Sequence, residues 1–261
     1  MAEYTNLELM ACVLARDLKD GEIVRVGVAM PVVEAAVRMA HLSHGPNMEL
    51  MFFGARMNVA HLDAIPMPAF SWDRRVVRWA ESYSDNGHRF ERLKDWHRHV
   101  FFIGGIQVDP WGNTNLIGIG DDHSRLRFRG PGSVGTATLS SYVGRYYIVL
   151  NSHDPRVLVE RCDFISAYGW GRGGDDARTR IGLPGGGPRF CVTPMCVMDF
   201  APGTRRMRLH SIHPGASIDE VKARTGFELI VPDDVPVTPP PSAAELEMLR
   251  TRVDLHGQLR R

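Results

Sequence analysis

The segment of this chain best suited to chemistry is Ile103-Gly104-Gly105-Ile106-Gln107-Val108-Asp109-Pro110-Trp111-Gly112-Asn113-Thr114-Asn115. An apolar run ends in two glycines, and an amide, a carboxylate and a tight turn follow. Glycine has no Cβ to hold a ligand away from the backbone, so the N–H groups of Gly104 and Gly105 can come close to a polar atom. A buried Gln107 can donate from its amide nitrogen to a carbonyl or oxyanion while its oxygen accepts from a neighbour. Asp-Pro-Trp-Gly-Asn is also ordinary turn chemistry, so an oxyanion-binding loop and a structural hairpin are both open readings of these residues.

Two more glycine clusters lie downstream. Gly130-Pro131-Gly132-Ser133-Val134-Gly135 follows Arg125, Arg127 and Arg129, and offers main-chain donors to phosphate or thioester oxygens. It is not a P-loop, because no Gly-Lys-Ser/Thr follows, and it lacks the preceding strand and the ribose-binding acid of a dinucleotide fingerprint. Gly182-Leu183-Pro184-Gly185-Gly186-Gly187-Pro188 must be a loop, either a mobile lid or a plain connector. The histidine pairs, such as His97 with His99, have no carboxylate at the spacing of a metal-binding helix, and Cys12, Cys162, Cys191 and Cys196 make neither a disulfide framework nor a tetrahedral site. No metal is expected. The absence of a Gly-x-Ser-x-Gly elbow argues against a serine nucleophile of the α/β-hydrolase kind.

These residues need elements to position them. Thr5 to Glu8 reads as a capping box opening an amphipathic helix. A strand over Ile23–Met30, a helix from Pro31 and a strand over Met48–Phe53 make a βαβ unit, hence a parallel sheet. Ligands in such sheets lie beyond the carboxyl ends of the strands, which makes residues Phe53 to Asn58 a candidate site wall. Apolar runs predict further strands at Val100–Ile103, Tyr146–Leu150 and Cys162–Ala167. After the break at Pro239-Pro240-Pro241, a second capping box, Ser242 to Glu245, opens a docked tail helix. The whole reads as one α/β domain over residues 1–261, an open, mostly parallel sheet flanked by helices.

Lys and Arg number 31 against 30 Asp and Glu, so no long-range field draws the chain to nucleic acid or to an anionic membrane. No run approaches the roughly 20 apolar residues that span a bilayer, and the first residues lack the order of a signal peptide. A cytoplasmic location is expected.

Taken together, Tyr4-Thr5-Asn6 opening the first helix, the run Phe102 to Asn113, the Gly130 to Gly135 loop, and Gly182-Leu183-Pro184-Gly185 followed by Phe190 to Thr193 resemble the β subunit of class I CoA-transferases, of the glutaconate CoA-transferase type. The resemblance implies the NagB/RpiA/CoA-transferase type of α/β fold and a related α subunit, as αβ, α2β2 or larger. It also implies a site at their junction and a coenzyme A thioester as substrate, with no permanently bound cofactor. Transferases of this family attack the thioester with a glutamate of the β subunit. The matching position here is Phe52, which has neither a lone pair nor a titratable proton. Glu49, three residues earlier, faces the other side of a strand.

A branch without this glutamate resembles the two-subunit ring-cleaving hydrolases of bacterial steroid catabolism, whose catalytic glutamate lies on the α subunit. The first functional expectation is therefore a hydrolase subunit acting on a cyclic β-keto acyl-CoA. Gln107, Gly104 and Gly105 would stabilise the thioester enolate, Gly132, Ser133 and Gly135 would touch the CoA, and Phe52, Arg56 and Asn58 would line the pocket. The alternatives are transfer of CoA between carboxylic acids, with the carboxylate supplied by Glu49 or by the partner subunit, and a non-catalytic partner subunit.

Overall fold

The computed structural model describes residues 3–27, 29–52, 55–57, 67, 80–83 and 96–261. The chain forms two compact units, Met1–Phe102 with Pro239–Arg261, and Ile103–Thr238.

In the first unit, Thr5 caps α1 (Asn6–Asp17) through a reciprocal box: its hydroxyl accepts from Glu8 N at 3.1 Å and its own N–H donates to the Glu8 carboxylate at 2.9 Å. β1 (Ile23–Val26) leads into α2 (Pro31–Ser43), where Pro31 occupies the first turn and its missing N–H leaves no helix bond unmade. β2 (Glu49–Phe52) runs parallel to β1, pairing Ile23 with Glu49 and Val26 with Phe52. The expected βαβ unit is thus formed. β3 (Ala55–Met57) and β4 (Ser82–Tyr83) add antiparallel strands beyond β2, and β5 (His99–Ile103) lies parallel on the other side of β1. Val32, Val33, Ala35, Ala36, Val37 and Ala40 of α2 are all buried, a nearly all-round apolar surface that suits a helix enclosed by neighbours, α1 among them.

The C-terminal residues return to this unit. Ser242 and Glu245 form the second capping box of the helix Ala243–Met248. The Arg16 guanidinium holds the Glu245 carboxylate through two contacts of 2.7 Å and also reaches the carbonyls of Pro239 and Pro240 at 2.8 and 2.9 Å. Burial works to raise the pKa of Glu245, but Arg16 and the Ser242 donors outweigh it and bring it down to about 2. Arg250 makes the matching fork on the buried Glu8, at 2.8 and 2.9 Å.

The second unit opens with two short ribbons, β6 (Gln107–Val108) with β7 (Thr114–Asn115), and β8 (Gly118–Ile119) with β9 (Phe128–Arg129). After α3 (Thr136–Tyr142), β10 (Arg145–Val149) pairs in parallel with β11 (Pro188–Val192). β12 (Cys196–Phe200) and β13 (Met207–Ile212) continue antiparallel. The α/β class expected from the sequence is present, with parallel pairing at β5, β1 and β2 and at β10 and β11, and antiparallel strands outside them. Tyr146, Ile148, Cys191, Val192, Cys196 and Met198 make the core.

Two expectations are corrected here. Cys162–Ala167 is not a strand: Asp163 N donates to the Gln107 side chain at 3.0 Å and Ser166 N to Thr114 O at 2.8 Å, so its donors go to scattered partners rather than to a ladder. Gly182–Pro188, open between lid and connector, is a fastened connector: Gly185 N donates to Ser141 O and Gly186 N to Val143 O. Among the described residues, no helix is long and apolar enough to cross a membrane, and no group of His, Cys, Asp or Glu is arranged to hold a metal ion.

Candidate active site

Gln107 and Asn115 face each other across the β6–β7 ribbon. The Gln107 oxygen Oε1 accepts from Asn115 Nδ2 at 2.7 Å and from the Asp163 backbone N–H at 3.0 Å. A backbone N–H can only donate, so this bond fixes the orientation of the amide: the oxygen is occupied, and Nε2 is the end left to donate. The residue is 6% exposed, and among the described residues Nε2 has no hydrogen-bond partner.

Asn115 is fully buried and uses both ends of its own amide. Nδ2 also donates to Gly118 O at 2.7 Å, while Oδ1 accepts from Ile117 N at 2.9 Å. Gln107 is therefore built into the turn that begins at Leu116. Asn115 belongs to the motif noted in the sequence, and its mirror position to Gln107 about the Asp-Pro-Trp-Gly-Asn turn is the signal that would have paired them. Asp163 had no signal of its own.

The N–H groups of Gly104 and Gly105 are likewise not taken up by any hydrogen bond among the described residues. A Cβ at Gly105 would lie 2.7 Å from Thr114 Cγ2, whereas at Gly104 its nearest neighbour is Val149 O at 3.8 Å. Packing thus requires glycine at 105, and room alone does not require it at 104. The stretch offers N–H donors and no nucleophile. Asp109, the one carboxylate within it, is used up by the turn: it accepts from Trp111 N and Asn113 N at 3.0 Å and from Asn113 Nδ2 at 2.7 Å. Burial pushes its pKa up to about 6 against the pull of these donors. The hairpin is formed, and the N–H groups of Gly104 and Gly105 and the Nε2 of Gln107 are the donors it leaves over.

The Gly130–Gly135 loop hangs from the same turn. Gly130 N donates to Ile117 O at 2.8 Å and Gly132 N to Leu116 O at 2.9 Å. A Cβ at Gly130 would stand 2.3 Å from Leu116 O, while Gly132, at φ +88°, has open space around it. Ser133 O accepts from Thr136 N at 2.7 Å and Gly135 precedes α3. Gly104, Gly105 and Gln107 therefore share one stretch, and Gly132, Ser133 and Gly135 share a loop anchored one turn away.

Phe52 is the last residue of β2, and Arg56 pairs with Met51 in the middle of β3; the side chains of both, and Asn58 altogether, lie outside the described residues. Glu49 opens β2, and three residues at about 3.3 Å each put its backbone roughly 10 Å along the strand from that of Phe52.

The coenzyme A transferase family model matches residues 7–224. The chain is 32% identical to the B subunit of glutaconate CoA-transferase from Acidaminococcus fermentans, covering 96% of this chain and 93% of that one. It is also 32% identical to the B subunit of 3-oxoadipate CoA-transferase from Pseudomonas knackmussii, over 99% and 98%. The cholesterol ring-cleaving hydrolase IpdB subunit of Mycobacterium tuberculosis is 26% identical, over 96% and 95%. The crystal structure of the Acidaminococcus fermentans glutaconate coenzyme A-transferase superposes with a TM-score of 0.88 at 26% identity, over 99% of this chain and 98% of that one. A family match over most of the length, joined to two relatives that share about a third of its residues from end to end, carries one conclusion: this chain belongs to the coenzyme A transferase family.

Proposed function

We propose that this chain is the B-type subunit of an enzyme that processes acyl-coenzyme A thioesters, working with a related A-type subunit. Its part is to hold the thioester carbonyl. The observation that carries this reading is the oriented amide of Gln107: its oxygen is occupied by two donors, so Nε2 remains, close in sequence to the N–H groups of Gly104 and Gly105, which are unbonded among the described residues. A carbonyl oxygen that gains negative charge in the transition state is stabilised by such preorganised donors.

Similarity supports CoA transfer between carboxylic acids ahead of hydrolysis, since the relatives named as transferases are nearer than the hydrolase subunit. This reverses the order of the two readings drawn from the sequence. In this chain the end of β2 carries Phe52, which cannot be the transfer carboxylate, and Glu49 stands at the other end of the strand. The proposal therefore assigns that carboxylate to the partner subunit. A second reading, cleavage of a cyclic β-keto acyl-CoA by water, is supported by that same Phe52, because hydrolysis asks no nucleophile of this chain.

The test is to assemble the chain with its partner and follow an isotope-labelled carboxylic acid in the presence of an acyl-CoA. Label entering the thioester supports transfer. Release of a ring-opened acid with uptake of solvent oxygen supports hydrolysis instead. In either case Gln107→Ala lowers kcat by on the order of a hundredfold, and full activity in that variant would refute the donor role.

A further inference from the structure

We propose that the β8–β9 hairpin is a phosphate clamp for the nucleotide end of coenzyme A, with Arg125, Arg127 and Arg129 as its cationic groups. This rests on the coenzyme A reading above and extends it to a part of the molecule to which no role has been given.

The three arginines are exposed and make no ion pair among the described residues. They alternate with Leu126 and Phe128. Leu126 lies against Gly118, where an added Cβ would be 2.6 Å from its Cδ1, while the arginines on either side of it stay exposed. Arg127 immediately precedes β9 and Arg129 ends it, so the two backbones lie within about 7 Å of each other. A guanidinium fork suits phosphate oxygens. The diphosphate and the ribose 3′-phosphate of coenzyme A present separate anionic groups to such a row.

Charge along the chain agrees. Asp121 and Asp122 stand at the hairpin tip, and Asp122 is spent on Ser124 N and Oγ at 2.9 and 2.7 Å. From there to Asp154 the sequence contains no acid, so Arg127, Arg129 and the glycine loop after them have no carboxylate next to them in sequence.

The hairpin is also fixed to the donor site. Its tip is held by Gly120 N, which donates to Asp163 Oδ2 at 2.8 Å, and the backbone of Asp163 donates to Gln107. Its base is held by Asn115, the other partner of Gln107. Arg129 runs directly into Gly130. A ligand gripped at its thioester by Gln107 would thus meet arginines whose position is set by the two groups that orient Gln107.

The experiment measures binding of coenzyme A, 3′-dephospho-coenzyme A and S-acetylpantetheine to the assembled enzyme, as wild type and as the R125Q/R127Q/R129Q variant, across a salt series. The expected wild-type result is tighter binding of coenzyme A than of dephospho-coenzyme A, and of both than of the pantetheine, by on the order of tenfold per lost contact. The variant should bind coenzyme A nearly as weakly as the pantetheine, keep its affinity for the pantetheine, and lose most of the salt dependence. Unchanged coenzyme A affinity in the variant overturns the clamp, as does a wild type that holds coenzyme A and pantetheine equally while still binding both. A wild type that binds neither overturns the coenzyme A reading itself. Unaltered thermal melting of the variant separates loss of a contact from loss of the fold.

Discussion

Two glycine-rich stretches of the second unit, Gly130–Gly135 and Gly182–Gly187, look alike in sequence and differ in what surrounds them. In the second, Gly182 at the start has open space, but from Gly185 on the chain is enclosed: a Cβ at Gly185 would stand 2.5 Å from Ser141 O, one at Gly186 2.0 Å from Gly144 O and one at Gly187 2.9 Å from the Arg178 and Trp170 side chains. In the first, Gly130 is packed in the same way, but Gly132 has open space and Val134 is 92% exposed. The glycines of one loop are there so that the chain can be fastened down. Those of the other let it be held at one end and presented at the other.

The fastening is done by Arg178, 2% exposed and bound to no carboxylate among the described residues. Its guanidinium donates to five carbonyls, those of Ser140, Ser141, Tyr168, Gly169 and Gly185, at 2.5 to 3.3 Å. Burial lowers its pKa. Two of the carbonyls belong to α3, near whose C-terminal end a cation is favourable. Arg178→Met keeps the volume and removes every donor, so we expect a stability loss of roughly 3–5 kcal/mol, because buried carbonyls are left unsatisfied. Chemical denaturation checks it. A loss below about 1 kcal/mol would mean that the glycine contacts hold the loop without the arginine.

The sequence signalled the elements and not these ties. Thr5 with Glu8, Pro31 after an apolar strand, and Ser242 with Glu245 are local signals, since capping and first-turn proline act within four residues. Arg178 gave none: it is one arginine in a run of glycines, arginines and aspartates, and its acceptors lie up to 38 residues away in the chain. Lid and connector could not be separated for the same reason, because Ser141 and Val143 decide the matter from another element. Gln107 lies between these cases. Its type and setting pointed to a donor, but which end of its amide is taken up within the fold depends on Asp163, in a segment whose apolar run read as a strand.

A paired substitution sharpens the contrast between the loops. Gly186→Ala forces a methyl group against the Gly144 carbonyl, and an overlap with backbone is relieved only by moving one of the loops, at about 3 kcal/mol. Gly132→Ala meets no atom and pays only for its positive φ, about 1 kcal/mol. Thermal melts of the two variants should therefore separate clearly, whereas turnover should fall in the Gly132 variant more than its stability does. Equal melting temperatures would dissolve the distinction between a fastened and a presented loop.

Val134 makes the smallest expected change and the most specific one. It is a β-branched residue at φ +45°, a conformation that costs a non-glycine residue about 1–2 kcal/mol, and its exposure leaves it no packing to offset that cost. Glycine at the position removes the strain but gains unfolded-state freedom worth about 0.5–1 kcal/mol. Val134→Gly should therefore stabilise the fold by about 0.5–1 kcal/mol net, as read from the denaturation midpoint. On the proposed reading, the strain at this exposed position serves the loop's contact with the ligand. The same variant should then bind the thioester more weakly, because a looser loop must be ordered on binding. Greater stability together with undiminished affinity would leave Gly132 and Ser133 as the contacts in that loop and Val134 as a strained bystander.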